Sequence, residues 1–143
     1  MSINRAQIMG NVGAEPDVRF TRSGKKVCNL SVATNRKYKD RDGNEQSLTQ
    51  WHRVVVFGDA LIENVVEKYV RKGSGVYLEG ELNTRNWIDQ AGATRYITEI
   101  VVGFNSIFRL TGAKPDNGRR DETVPPANQD APPAADLNDD IPF

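Results

Sequence analysis

Trp51, Arg53 and Phe57 fall at odd positions of Thr49-Gln50-Trp51-His52-Arg53-Val54-Val55-Val56-Phe57-Gly58, a run rich in β-branched and aromatic residues that ends in glycine. Such a run reads as a strand, and successive side chains of a strand point to opposite faces. Trp51, Arg53, Val55 and Phe57 then share one side, with His52, Val54 and Val56 on the other. Two rings with a guanidinium between them match a single-stranded nucleic acid, whose bases stack on aromatics and whose phosphates pair with arginine. Facing only core, Arg53 would be a buried charge without a visible partner, which is costly. An open platform accommodates it. The same run also reads as a half-buried strand whose tryptophan fills a core, since aromatics are common in strands for packing alone. Further along, Arg85 and Trp87 repeat the pairing of cation and ring.

Catalytic chemistry has little to work with. Cys28 lies in the alternating run Val27-Cys28-Asn29-Leu30-Ser31-Val32-Ala33 with no basic cluster beside it, so it reads as packing rather than as a nucleophile. One histidine and one cysteine do not make a zinc site. Asp40, Asp42 and Glu45 around Gly43 stop short of a calcium-loop spacing and read as a plain turn. No cofactor, no metal and no enzymatic activity are expected.

The 143 residues leave room for one domain and an appendage. Net charge is zero, but residues 1–112 carry 16 Lys+Arg against 12 Asp+Glu while the remainder carries 3 against 7. The body is mildly basic, which favours a polyanionic partner, and the tail is acidic. The N-terminus lacks a signal-peptide run, and nowhere do 18 apolar residues follow one another, so a cytoplasmic protein with no membrane partner is expected.

The elements that must position these residues follow in order. A first strand from Ile3 to Val12 closes on Gly10-Asn11-Val12-Gly13. Val18–Thr21 and Lys26–Thr34 flank the basic turn Arg22-Ser23-Gly24-Lys25 as a hairpin. The polar stretch 35–47 reads as a long mobile loop, with Tyr38 among Arg36, Lys37, Lys39 and Arg41 as in a finger that tracks a strand. After the Trp51 strand, Asp59 is placed to cap a helix reaching about Arg71, with Ala60, Leu61, Val65, Val66, Tyr69 and Val70 as its apolar face. Lys68, Arg71 and Lys72 complement its dipole. Val76–Ile88 alternates again, and Asp89-Gln90-Ala91-Gly92 turns the chain into 95–102 and a last apolar segment, Phe104–Leu110.

The predicted class is all-β with one helix. A five-stranded Greek-key barrel of OB-fold type occupies residues 1–112, and a small β-sandwich is the competitor. Residues 113–135 form a proline-rich linker that cannot build a core and is expected to be disordered. Residues 136–143 form an acidic tip, whose Asp139, Asp140, Ile141, Pro142 and Phe143 offer carboxylates and a terminal ring to a basic-rimmed pocket. An acidic solubility tail is the plainer alternative.

Six blocks in order, Gly10–Arg19, Trp51–Gly58, Tyr69–Ser74, Val76–Gly80, Thr84–Trp87 and Asp139–Phe143, together resemble the bacterial single-stranded DNA-binding proteins, from Ile3 to about Leu110 and again at the last residues. The resemblance implies an OB-fold subunit, usually of a homotetramer, that wraps single-stranded DNA without sequence preference in replication, recombination and repair. It also implies base stacking at Trp51, Phe57 and Trp87 and recruitment of replication and repair enzymes by the tip. His52 shares its face with Val54 and Val56, which reads as core or subunit contact, and the resemblance favours the oligomer interface. Tyr38 stands where many members carry tryptophan, Asn83 and Asn86 where a more basic strand is common, and the linker is short.

The expected mechanism is stacking on Trp51, Phe57, Trp87 and Tyr38, with Arg53 and Arg85 foremost on the phosphates. Arg5, Arg19, Lys26, Arg36, Lys37, Arg71 and Lys72 are further candidates along the backbone path. Competing readings are an accessory OB-fold of replication restart or an RNA-binding module, a nuclease, and a pure interaction module. DNA-against-RNA competition separates the first, and cleavage with magnesium the second. The third leaves the tryptophan and arginine pairs unexplained.

Overall fold

The computed structural model describes residues 1–112; the linker and the acidic tip lie outside the described residues. Seven strands form one sheet: β1 (Ala6–Val12), β2 (Asp17–Phe20), β3 (Lys26–Lys39), β4 (Glu45–Phe57), β5 (Gly75–Ile88), β6 (Thr94–Val102) and β7 (Ile107–Leu110). Strand β1 pairs with β5 along Ala6–Asn11 and with β3 at Asn11 and Val12, so the path β1–β3–β4–β6–β5 returns to β1. This is a closed five-stranded barrel, made mixed by the parallel pair β4–β6. Strands β2 and β7 are short additions to β3 and β5.

The core follows the alternation. Val12, Leu30, Val32, Val54, Val56, Val76, Leu78, Ile100 and Val102 point inward with Cys28, whose thiol burial pushes up to about 12. Two glycines stand where strands change partners. A Cβ on Gly10 would lie 2.1 Å from the Ala33 carbonyl oxygen, and one on Gly80 would lie 2.3 Å from that of Val101. Only glycine lets the backbones approach that closely.

Residues 59–69 form the helix, wound as a π-helix over Ile62–Val66. Its buried residues are Ile62 and Val66, with Val70 just beyond its end, while Ala60 and Tyr69, expected on the apolar face, are exposed. Asp59 does not cap it. Gly58, at φ 109°, takes the cap position, and the Asp59 carboxylate instead accepts the Lys26 backbone N–H at 2.8 Å, tying the helix start to β3. At the other end Arg71 donates through Nη1 to the Glu67 and Val70 carbonyls at 2.9 and 2.7 Å, so it serves the helix terminus. Among the described residues no helix is long and apolar enough to cross a membrane.

The expected mobile loop 35–47 is mostly strand. β3 and β4 stay in register from Val27 opposite Phe57 out to Lys39 opposite Glu45, and only Asp40–Asn44 turn the chain. Both faces of this ribbon are solvated beyond the barrel, so its residues carry no apolar alternation to mark them as strand. Its tip shares a design with the β5–β6 tip. Asp40 accepts the N–H groups of Asp42 and Asn44, and Asp89 those of Ala91 and Ala93, each followed by a glycine at positive φ, Gly43 or Gly92. Both carboxyls are held below the usual range, Asp40 first by the Gln46 amide and Asp89 first by Arg95. These acids build turns.

Candidate nucleic-acid interface

On the outward face of the barrel, β4 presents Trp51, Arg53, Val55 and Phe57. The β4–β6 register sets Val55 beside Val101, and the β5–β6 register sets Val101 opposite Glu81, Glu99 opposite Asn83, Ile97 opposite Arg85 and Arg95 opposite Trp87. Because neighbouring strands share faces residue by residue, Trp51, Arg53, Phe57, Arg85 and Trp87 all lie on one side of the sheet. Val55 and Val101 at its centre give it an apolar floor. Trp51 is 36 % exposed. Its ring rests on Gly13, where a Cβ would fall 2.2 Å from a ring carbon, so the end of β1 supports the indole from below.

Tyr38 is elsewhere. It pairs with Gln46 in the same unbroken register that puts Trp51 opposite Ala33, and the odd separation sends it to the other face of the ribbon. There it is exposed, two positions from Arg36, which stands opposite the exposed Leu48. The rings therefore do not form one plane. A second solvated face begins where the β3–β4 ribbon leaves the barrel.

The basic candidates divide by what already holds them. Lys26 lies 3.1 Å from both Glu63 and Glu67, which raise its pKa, Glu67 more, and 5.8 Å over the Phe20 ring. Arg19 bonds Asp17 at 2.9 Å, and Arg5 lies 3.4 Å from Glu79. Arg85 donates through Nε and Nη2 to the two oxygens of Glu99 at 2.9 and 3.0 Å. Arg36, Lys37, Arg53 and the Lys72 ammonium make no ion pair among the described residues.

Sequence reasoning missed Glu99, which is only 3 % exposed, and Glu79, which accepts a short hydrogen bond from the Tyr77 hydroxyl that raises the phenol's pKa. A signal for Glu99 existed. It lies between Ile97 and Val101 on an alternating strand, and counting back from the Asp89–Gly92 turn sets it diagonally across from Arg85. Gly13 had no such signal, because its contact with Trp51 crosses three strands of tertiary structure.

His52 sits on the inward face, opposite Val32, half-buried, with Nε2 2.8 Å from the Thr34 hydroxyl. Burial lowers its pKa. Among the described residues no group of His, Cys, Asp and Glu is arranged to hold a metal ion.

Residues 3–107 match the model of the single-strand binding protein family. The chain is 44 % identical to the single-stranded DNA-binding protein of Rickettsia felis over 99 % of this chain and 98 % of that one. It is 44 % identical to that of Rhizobium meliloti over 82 % of this chain and 68 % of the relative. Its fold is similar to a solved complex of Plasmodium falciparum SSB with ssDNA, at a TM-score of 0.68 and 37 % identity, covering 77 % of this chain and 96 % of that one.

The His52 environment has a consequence for stability. The unfolded chain protonates His52 near its ordinary 6.5, whereas the folded protein does so only at lower pH. Stability is therefore fully present above 6.5 and is lost as pH falls from there through the folded value. Urea midpoints measured between about pH 7.5 and 5.5 should fall more steeply for the parent than for His52→Gln. Parallel curves would show that His52 is not responsible.

Proposed function

The chain belongs to the single-strand binding protein family, and on that premise we propose that it binds single-stranded DNA without sequence preference and protects it during replication, recombination and repair. The observation that carries this reading is the shared outward face of Trp51, Arg53, Phe57, Arg85 and Trp87 over an apolar floor. Bases stack on Trp51, Phe57 and Trp87, and phosphates run past Arg53. Stacking tolerates any base, because every base has a π-face, so no sequence code is required. Tyr38, with Arg36 and Lys37 on the same ribbon, takes the strand where it leaves the main face. Arg5, Arg19, Lys26 and Arg71 are held by partners of their own and contribute least to the phosphate path, with Lys72 at its margin.

Four copies form the working unit. Support comes from the family and from the edge of β1. Ala6–Gly10 pair with β5 on one side and with no strand on the other among the described residues, an open edge suited to a second copy. His52 contributes to this assembly. The acidic tip, Asp139–Phe143, joined to the barrel domain 1–112 by the 113–135 linker, recruits replication and repair enzymes.

Titration with poly-dT should quench tryptophan fluorescence strongly, and duplex DNA should not. Trp51→Ala and Trp87→Ala should each weaken binding by roughly 1–3 kcal/mol per stacked base while keeping the parent's circular dichroism. A variant that binds poly-dT as tightly as the parent would remove that residue from the stacking set. Light scattering should give the mass of four chains, and His52→Tyr should shift it towards one; an unchanged mass would take His52 out of the interface. Deleting 136–143 should leave poly-dT affinity in place while abolishing co-purification of replication and repair enzymes, and retained enzymes would refute the role of the tip.

A further inference from the structure

A carboxylate buried in a surface that takes a polyanion is an unexpected expense, and Glu99 is one. It belongs to β6, between Arg53 on β4 and Arg85 on β5: Arg53 and Glu99 each stand two residues before the Val55–Val101 pair, on the same face. Its side chain is 4 % exposed and both oxygens are taken by the Nε and Nη2 edge of Arg85, whose own side chain is 30 % exposed. Arg53, by contrast, forms no ion pair with it.

A guanidinium bound side-on by both carboxylate oxygens is fixed in plane and its charge is cancelled. Arg85 cannot leave for a phosphate without stranding a buried carboxylate, which costs more than an exposed phosphate contact returns. The side chain of Arg85 keeps 30 % of its surface exposed, and Trp87 stands two residues further along β5 on the same face. We propose that Glu99 is a positioning residue for DNA binding: it locks Arg85 as a charge-neutral, planar extension of the stacking surface and withholds it from the phosphates. Arg85 then contacts the strand without releasing a counterion, and Arg53 carries the phosphate pairing on this face. This rests on the reading that the ring-bearing face takes single-stranded DNA. It changes the part expected of Arg85 from phosphate clamp to stacking plane.

The test is the salt dependence of poly-dT binding, read by tryptophan quenching on the full chain. Glu99→Gln keeps the volume and one acceptor but removes the charge, freeing Arg85 to pair with a phosphate. The slope of log K against log salt should steepen by about 0.7, one more phosphate neutralised, which makes binding at tenfold lower salt gain about fivefold over the parent. A merely structural role for Glu99 would lower thermal stability and leave the slope alone. The double variant Arg85→Met, Glu99→Met removes both charges at similar length. It should weaken binding by one factor at every salt concentration and keep the parent's slope. An unchanged slope in Glu99→Gln, or a slope shallower by about 0.7 in the double variant, overturns the proposal. If Glu99→Gln does not fold, the double variant decides alone. Absence of quenching in the parent would instead overturn the DNA-binding reading, and this inference with it.

Discussion

Everything in this molecule hangs on one strand serving two neighbours. β1 pairs with β5 for most of its length and reaches β3 with its last two residues, and that transfer turns a curled sheet into a barrel. It needs backbones closer than a side chain permits, which is why Gly10 meets the Ala33 carbonyl, and Gly80 likewise meets the Val101 carbonyl where β5 passes from β1 to β6. Closure then decides the two faces. Inward-pointing valines, leucines and isoleucines bury one another with Ile62 and Val66 of the helix against them. Every side chain of opposite parity on those strands is sent outward, rings and arginines included.

β3, β4, β5 and β6 are longer than the barrel needs, and their surplus makes two ribbons that stand away from it. Each is finished by an aspartate-built turn, so the tips owe their shape to local hydrogen bonds rather than to a core. On the proposed reading, such ribbons lengthen the path available to a nucleic-acid strand. Tyr38 and Trp51 face different ways through the odd separation in the register, which the ribbon tolerates because beyond the barrel mouth neither face is reserved for burial.

Part of the basic complement of the first 112 residues is engaged within the protein. Lys26 and Arg71 secure the helix, Arg19 and Arg5 hold neighbouring acids, and Arg85 balances Glu99. On the proposed reading, phosphate pairing falls to cations without an acidic partner among the described residues, such as Arg53, Arg36 and Lys37, and specificity for unpaired strands comes from stacking, since bases in a duplex offer no free face.

Much of this was legible in the residues. Alternation is a local property with a period of two, so the Trp51 strand, the grouping of Arg53 and Phe57 with Trp51, the parity of Arg85 and Trp87, and the hairpin turns could be read from neighbours in the chain. The order of strands and helix pointed to the barrel, and the resemblance supplied the family. Less accessible were the features that depend on partners distant in sequence: the ribbon hidden by its solvated faces, Asp59 drawn to Lys26 instead of capping, the helix burying Ile62 in place of Ala60 and Tyr69, and Gly13 beneath Trp51. The sequence by itself determined which side chains share a face within each strand, because that is geometry of a single extended chain. Only the tertiary structure decided which faces meet and which charges find partners beyond a hairpin, because that depends on contacts distant in the chain, and Asp59 looks like a helix cap along the chain whether or not the Lys26 backbone N–H lies beside it.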